Sequence, residues 1–169
     1  MDNPAGQPLP PFWATPAASA SGHERHWSIA PWAARLLPMP GSNARSVRGH
    51  VLAVDDCEAM LQVVRASLES FGYSVQAVDS GWAALEVARQ EPFDAIVLDV
   101  EMPGLDGMAV GRALRNDPRT ASAMIAMHSS VGEAAVRAGF DQFDAFVPKA
   151  AHPRALGERV DSLIRSRRR

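Results

Sequence analysis

Ala95-Ile96-Val97-Leu98-Asp99-Val100-Glu101-Met102-Pro103-Gly104-Leu105-Asp106-Gly107 is the stretch that decides the fold. Its first four residues form an uninterrupted apolar run, the pattern of a strand buried on both faces in a parallel sheet. Met102-Pro103-Gly104 and Asp106-Gly107 then read as a tight loop leading into a helix. Asp99 therefore stands at the C-terminal end of an inner strand, the edge where open α/β sheets hold their ligands. A lone carboxylate there is explained by loop capping. A second strand with the same ending weakens that explanation. Val51-Leu52-Ala53-Val54 runs directly into Asp55-Asp56. Adjacent carboxylates repel, and only one of the pair is needed to cap a helix beginning near Cys57. If this strand lies beside the Asp99 strand, three carboxylates meet at one sheet edge. An all-oxygen set without nearby His or Cys suits a hard cation, Mg²⁺ or Mn²⁺.

Two more apolar runs end in chemistry-bearing residues. Met124-Ile125-Ala126-Met127 leads through His128 to Ser129 and Ser130, and Ala145-Phe146-Val147-Pro148 leads to Lys149. Taken singly, these are a loop serine and a surface lysine. Taken with the acids, they place a hydroxyl and an ammonium where a phosphoryl group on a carboxylate would need charge stabilisation.

The segments between these strands read as helices. Met60, Leu61, Val64, Leu68 and Phe71 recur at helical spacing, and Gly72 is placed to end that helix. Ser74 to Val78 reads as a short strand, with Gln76 suggesting a sheet edge. Ser80 is positioned to cap the next helix, where Trp82, Leu85 and Ala88 mark one face. A third helix starts near Asp106 and stops before Asp117-Pro118. A fourth, Ala-rich helix spans about Gly132 to Ala138. The last carries Leu156, Val160, Leu163 and Ile164 as one apolar stripe. Five strands alternating with five helices predict an α/β fold, a parallel sheet covered on both faces.

From about His50 to Ile164 the chain resembles the response-regulator receiver domains of two-component signalling. The resemblance rests on Val51 to Asp56, Ile96 to Gly107, Ser129-Ser130, Ala138-Gly139-Phe140-Asp141 and Phe146-Val147-Pro148-Lys149. It implies a flavodoxin-like, doubly wound five-stranded parallel sheet of order 2-1-3-4-5 with five helices. It further implies that Asp99 is the phosphoacceptor. Asp56 and Asp99 would bind Mg²⁺ directly, with the backbone carbonyl of Glu101, and Asp55 would act through a metal-bound water. Ser129, 129 − 99 = 30 residues after Asp99, matches the switch hydroxyl, and Ser130 its small neighbour. Lys149 would pair with the phosphoryl group, and Phe146 matches the aromatic switch position. The phosphoryl donor would be a histidine kinase or phosphotransfer protein. A downstream protein would read the face formed by the fourth helix, fifth strand and fifth helix. Such a chain is a phosphoacceptor with self-catalysed transfer and slow self-dephosphorylation, not an enzyme of turnover. Glu101 and Val131, two positions after Asp99 and Ser129, offer no amide to position water. That pair implies a long-lived acyl phosphate.

The chain also departs from the family. His128 stands where an aliphatic residue is usual, which leaves open a displacement of Ser129 by one position. The interval from Ser129 to Lys149, 20 residues, is short and implies a trimmed fourth helix. Ala150 replaces the usual proline after Lys149. The Met127-His128-Ser129-Ser130 segment is similar to receivers of the chemotaxis type. His128 and Ala150 favour a phosphorylation-independent interaction module as the alternative, whereas the intact acids and lysine oppose it. An aspartate-based, Mg²⁺-dependent phosphatase would carry Asp-x-Asp, and here Asp99 is followed by Val100 and Glu101.

Composition bounds the rest. With 169 residues, 47% of them hydrophobic, the chain holds one domain plus an appendage, and no output domain is expected after the receiver. A net charge of −2 gives no nucleic-acid footprint. The lone Cys57 excludes an intramolecular disulfide and fits a reducing, cytoplasmic setting. Apolar runs fall far short of the roughly 20 residues a bilayer span needs, so no membrane insertion is expected. Residues 1–49 read as a Pro/Ala-rich, disordered N-terminal extension and residues 50–169 as the receiver. Within the extension, Trp13, Trp27 and Trp32 stand out. His26 to Leu37 is a candidate short helix and partner-binding motif, and Met39 is an alternative start. The closing Arg165-Ser166-Arg167-Arg168-Arg169 suits the negative end of a helix dipole rather than a nucleic-acid contact.

Overall fold

The computed structural model describes residues 47–169; the expectations for the extension's Trp13, Trp27, Trp32 and His26 to Leu37 lie outside them. Strands β1 (His50–Val54), β2 (Ser74–Val78), β3 (Ala95–Asp99), β4 (Met124–Ser129) and β5 (Ala145–Pro148) alternate with five helices. The helices are α1 (Glu58–Ser70), α2 (Gly81–Gln90), α3 (Gly107–Asn116), α4 (Glu133–Gly139) and α5 (Pro153–Arg167). All strand pairs are parallel, in the order β2-β1-β3-β4-β5. The strand bearing Gln76 is an edge strand, and the Asp99 strand lies at the centre. No helix among the described residues is long and apolar enough to cross a membrane.

Alternation along the strands builds two cores. Leu52, Val54, Ile96, Leu98, Ile125 and Met127 are buried with Ala84, Leu85, Val110, Leu114 and Val136 from α2, α3 and α4. On the other face Val51, Ala53, Ala95, Val97, Ala126 and Val147 meet Leu61, Val64 and Leu68 of α1 and Leu156, Val160 and Ile164 of α5. The register row Ala53, Val97, Ala126, Ala145 is small throughout, which lets α1 and α5 settle close to the sheet. The two helices also touch each other closely. A Cβ at Gly157 would lie 2.5 Å from the Phe71 ring.

Helix ends follow local chemistry. Gly72 (φ +88°) closes α1 in a left-handed turn, with its N–H bonded to the Glu69 carbonyl and that of Tyr73 to Leu68. The Ser80 hydroxyl accepts the Ala83 N–H, and Asp106 caps α3 by accepting the Ala109 N–H at 2.7 Å. The fourth helix is seven residues long, trimmed as its short interval implied.

One expectation fails on α2. Trp82 is 69% exposed instead of lying on the buried face with Leu85 and Ala88. Gly81 packs inward in its place. A Cβ there would lie 2.5 Å from the Leu105 carbonyl oxygen and 2.8 Å from Val110. Seating Gly81 against the loop before α3 turns the next residue roughly 100° away from the core.

Candidate functional site

The C-terminal ends of β1, β3 and β5 bring Asp55, Asp56, Asp99 and Lys149 together. Asp55 and Asp99 are 2% and 1% exposed, whereas Asp56 faces solvent. One carboxylate oxygen from each of the three acids lies within 4.8 Å of the others. Backbone groups fix the two buried acids. Asp55 Oδ1 accepts the Cys57 N–H at 2.9 Å, and Asp99 Oδ1 accepts the Glu101 N–H at 3.2 Å. Both are side chains turning back on the residue two positions later, the Asx-turn pattern. Asp55 thus braces the entry to α1 without capping it, since Cys57 occupies the cap position. The loop after β3 is held by the Gly107 N–H bonded to the Val100 carbonyl at 3.1 Å. A Cβ at Gly107 would overlap the Asp99 carbonyl oxygen.

Lys149 bridges the buried acids. Its Nζ lies 2.8 Å from Asp55 Oδ2 and 2.9 Å from Asp99 Oδ2. Burial pushes the Asp99 carboxyl above its usual range, outweighing the Lys149 ammonium and the Glu101 N–H that pull it down. Burial also disfavours the Lys149 ammonium, but the two carboxylates overcome that and hold its pKa above the ordinary lysine value. One ammonium thus serves two buried anions, with a third carboxylate beside them. The surplus of oxygen ligands fits a small hard dication. Asp55, Asp56 and Asp99 are the carboxylates gathered there.

The model of the "Response regulator receiver domain" family matches residues 51–161, about two-thirds of the chain. The chain belongs to this family. The sensor histidine kinase GacS of Pseudomonas protegens is 42% identical over 87 residues, covering 52% of this chain and 9% of that protein. The response regulator MprA of Mycobacterium leprae is 38% identical over 118 residues, covering 68% of this chain and 50% of that protein. The chain therefore spans at most half the length of these curated relatives. Among solved structures, the chemotaxis response regulator CheY4 of Vibrio cholerae superimposes with a TM-score of 0.64 at 27% identity, covering 68% of this chain and 97% of that one.

Within this receiver, β4 separates two neighbouring residues that the sequence left ambiguous. In the parallel register Asp99 pairs with His128, and His128 in turn with Val147. His128 shares the face of Ala126, toward α1 and α5, and lines a cavity with Met60 and Leu156. Ser129 is fully buried and turned the other way. Its carbonyl accepts the Lys149 N–H at 2.9 Å, and its Oγ accepts the Val131 N–H at 2.9 Å. Its acceptor role is thereby used locally while the hydroxyl proton stays available. Phe146 is half-buried against the α2–α4 core, its ring 6.5 Å from that of Phe143. Ser130 and the Glu101 side chain are exposed, and the Lys149–Ala150 peptide is trans.

Burial, reinforced by the neighbouring Lys149 charge and opposed by Asp55, pushes the His128 imidazole down to about 4. A base depressed in the folded state stabilises fully above the unfolded value, near 6.5, and less as pH falls toward the folded one. His128→Val is therefore expected to flatten the loss of stability between pH 6.5 and 4 by about 3 kcal/mol. Urea unfolding across that window measures it; parallel curves for the two proteins would contradict the assignment.

Proposed function

We propose that this receiver takes a phosphoryl group onto Asp99 from the phosphohistidine of a histidine kinase or phosphotransfer protein. Residues 50–169 carry the activity, in the reducing cytoplasm that a lone free thiol suits. The observation that carries the reading is the buried Asp99 carboxylate, 2.9 Å from the Lys149 ammonium, inside a cluster of three acids.

The ionised Asp99 oxygen attacks phosphorus in line. The P–N bond to histidine breaks, its electron pair returns to the imidazole, and an acyl phosphate forms. Asp56, Asp99 and the Glu101 carbonyl would hold Mg²⁺ (or Mn²⁺), with Asp55 acting through water, and the bound ion would supply positive charge for the phosphoryl oxygens. Lys149 keeps Asp99 ionised before transfer and turns to the phosphoryl oxygens afterwards. The Ser129 hydroxyl, its oxygen already engaged by Val131 N–H, donates its proton to another of them. Two new contacts at the ends of β4 and β5 favour the arrangement in which Phe146 moves inward. The α4–β5–α5 face then changes for a downstream protein.

Intact mass after incubation with acetyl phosphate tests the reading. A gain of one phosphoryl group that needs Mg²⁺ and is removed by hydroxylamine supports it. If neither acetyl phosphate nor a phosphorylated kinase gives that gain, the phosphorylation-independent module takes its place. Glu101 and Val131, two positions after Asp99 and Ser129, bring no amide to align water for attack on the acyl phosphate. The acyl phosphate is accordingly expected to persist for minutes or longer in the isolated protein, followed by mass; decay within a few seconds would refute this.

A further inference from the structure

A second feature lies behind the acid cluster, on the face covered by α1 and α5. A cavity of about 240 Å³ opens there between α1, the end of β5 and the start of α5. Its floor is His128, Val147 and Leu156, all buried; Met60 forms a wall, and Val63 and His152 stand at the exposed rim. His128 is 6% exposed, and no protein group among the described residues hydrogen-bonds its ring. A largely buried imidazole with no protein partner can form hydrogen bonds only through the opening it lines. Here the ring lines the cavity, and whatever fills the cavity is what can meet it.

We propose that this cavity binds a neutral molecule of one or two rings that hydrogen-bonds His128 through a single hydroxyl or ring N–H. Size sets the ring count. An apolar cavity of roughly 150 Å³ accommodates benzene, and this one is larger but below the range of drug-sized sites. The lining sets the polarity, because Met60, Val63, Val147, Ala151, Pro153 and Leu156 are apolar, and beside His128 only Lys149 and the rim residue His152 bring polar side chains. Charge sets neutrality. An anion meets Asp55 and Asp99 behind Lys149, and a cation meets Lys149 itself, which also lines the cavity. A neutral imidazole offers one donor and one acceptor, which matches a hydroxyl or a ring N–H.

The test is a titration of the full chain, methyl-labelled at Met, Val and Leu, with indole and separately with benzoate, followed by NMR. Indole is expected to give saturable shifts at the Met60, Val147 and Leu156 methyls, and benzoate none. In His128→Val indole binding is expected to weaken at least about tenfold. Val63→Trp, a change at an exposed position that closes the rim, is expected to abolish the indole shifts whether or not the His128 variant folds. Absence of saturable shifts, equal indole affinity in a folded His128→Val, stronger response to benzoate, or shifts that survive Val63→Trp would each overturn the proposal.

Discussion

Asp99→Asn is expected to abolish phosphoryl acceptance completely and to make the resting protein more stable. The loss follows from chemistry, since an amide oxygen is too poor a nucleophile to replace the carboxylate. The gain follows from burial. Asp99 is 1% exposed, and desolvation holds its pKa above the usual carboxylate range despite Lys149. For an acid with a raised folded pKa, stability is complete below the unfolded value and is lost as pH rises through the folded one. At pH 8 the ionised group therefore destabilises the fold. Asparagine keeps the shape and the acceptor for the Glu101 N–H, removes the charge, and leaves Lys149 paired with Asp55. A gain of about 1 kcal/mol is expected without divalent cation, within the range of stabilising changes at strained functional sites. Adding Mg²⁺ should stabilise the wild type by mass action and the variant much less. Urea unfolding at pH 8 and intact mass after acetyl phosphate read both halves. A variant less stable than the wild type would show that Lys149 fully compensates the buried charge.

The strand ends were legible in the sequence because each couples a four-residue apolar run to a residue that no core needs. Asp55, Asp99 and Lys149 declare themselves in that way, and the register places them at one edge. Gln76 marked the edge strand because a central strand has no room for its amide. Trp82 misled because apolar periodicity counts side chains, and the residue α2 turns inward there is Gly81, which has none. His128 was ambiguous for a different reason. Which face of β4 it takes is fixed by pairing with Asp99, a partner 128 − 99 = 29 residues away. The same holds for Asp161 on α5, buried at 9% exposure. It accepts the Tyr73 hydroxyl at 2.8 Å and pairs with Arg48 and Arg165 at 3.2 and 2.9 Å. Burial and this bond push the Tyr73 hydroxyl up to about 12. Arg165, four residues on along α5, is a partner the local sequence could suggest, but Tyr73 and Arg48 come from distant parts of the chain and leave no local sign. Arg165 and Arg168 stay exposed at the end of α5 while pairing with Asp161 and Asp94.

Lys149→Met is expected to destabilise the protein by about 3 kcal/mol at pH 8, the scale for removing one partner of a buried ion pair. Methionine preserves the apolar stem that lines the cavity below the site, so the effect reports the charge rather than the packing. Without the ammonium, Asp55 and Asp99 face each other at the buried sheet edge with only the Cys57 and Glu101 N–H groups to stabilise them. The Asp99 carboxyl, already held above its usual range by burial, must then rise further. By the same sign argument, the deficit relative to wild type should widen from pH 5 to pH 8, because at low pH Asp99 takes up a proton instead. Mg²⁺ should narrow the deficit, since it can replace the missing positive charge between the carboxylates. Phosphoryl transfer should slow but survive in the variant, because the nucleophile, Asp56 and the Glu101 carbonyl remain. Unfolding curves at pH 5 and 8, with and without Mg²⁺, separate these contributions. A deficit independent of pH and of Mg²⁺ would mean that Lys149 acts through its packing alone, and would remove the electrostatic basis for its place opposite the phosphoryl group.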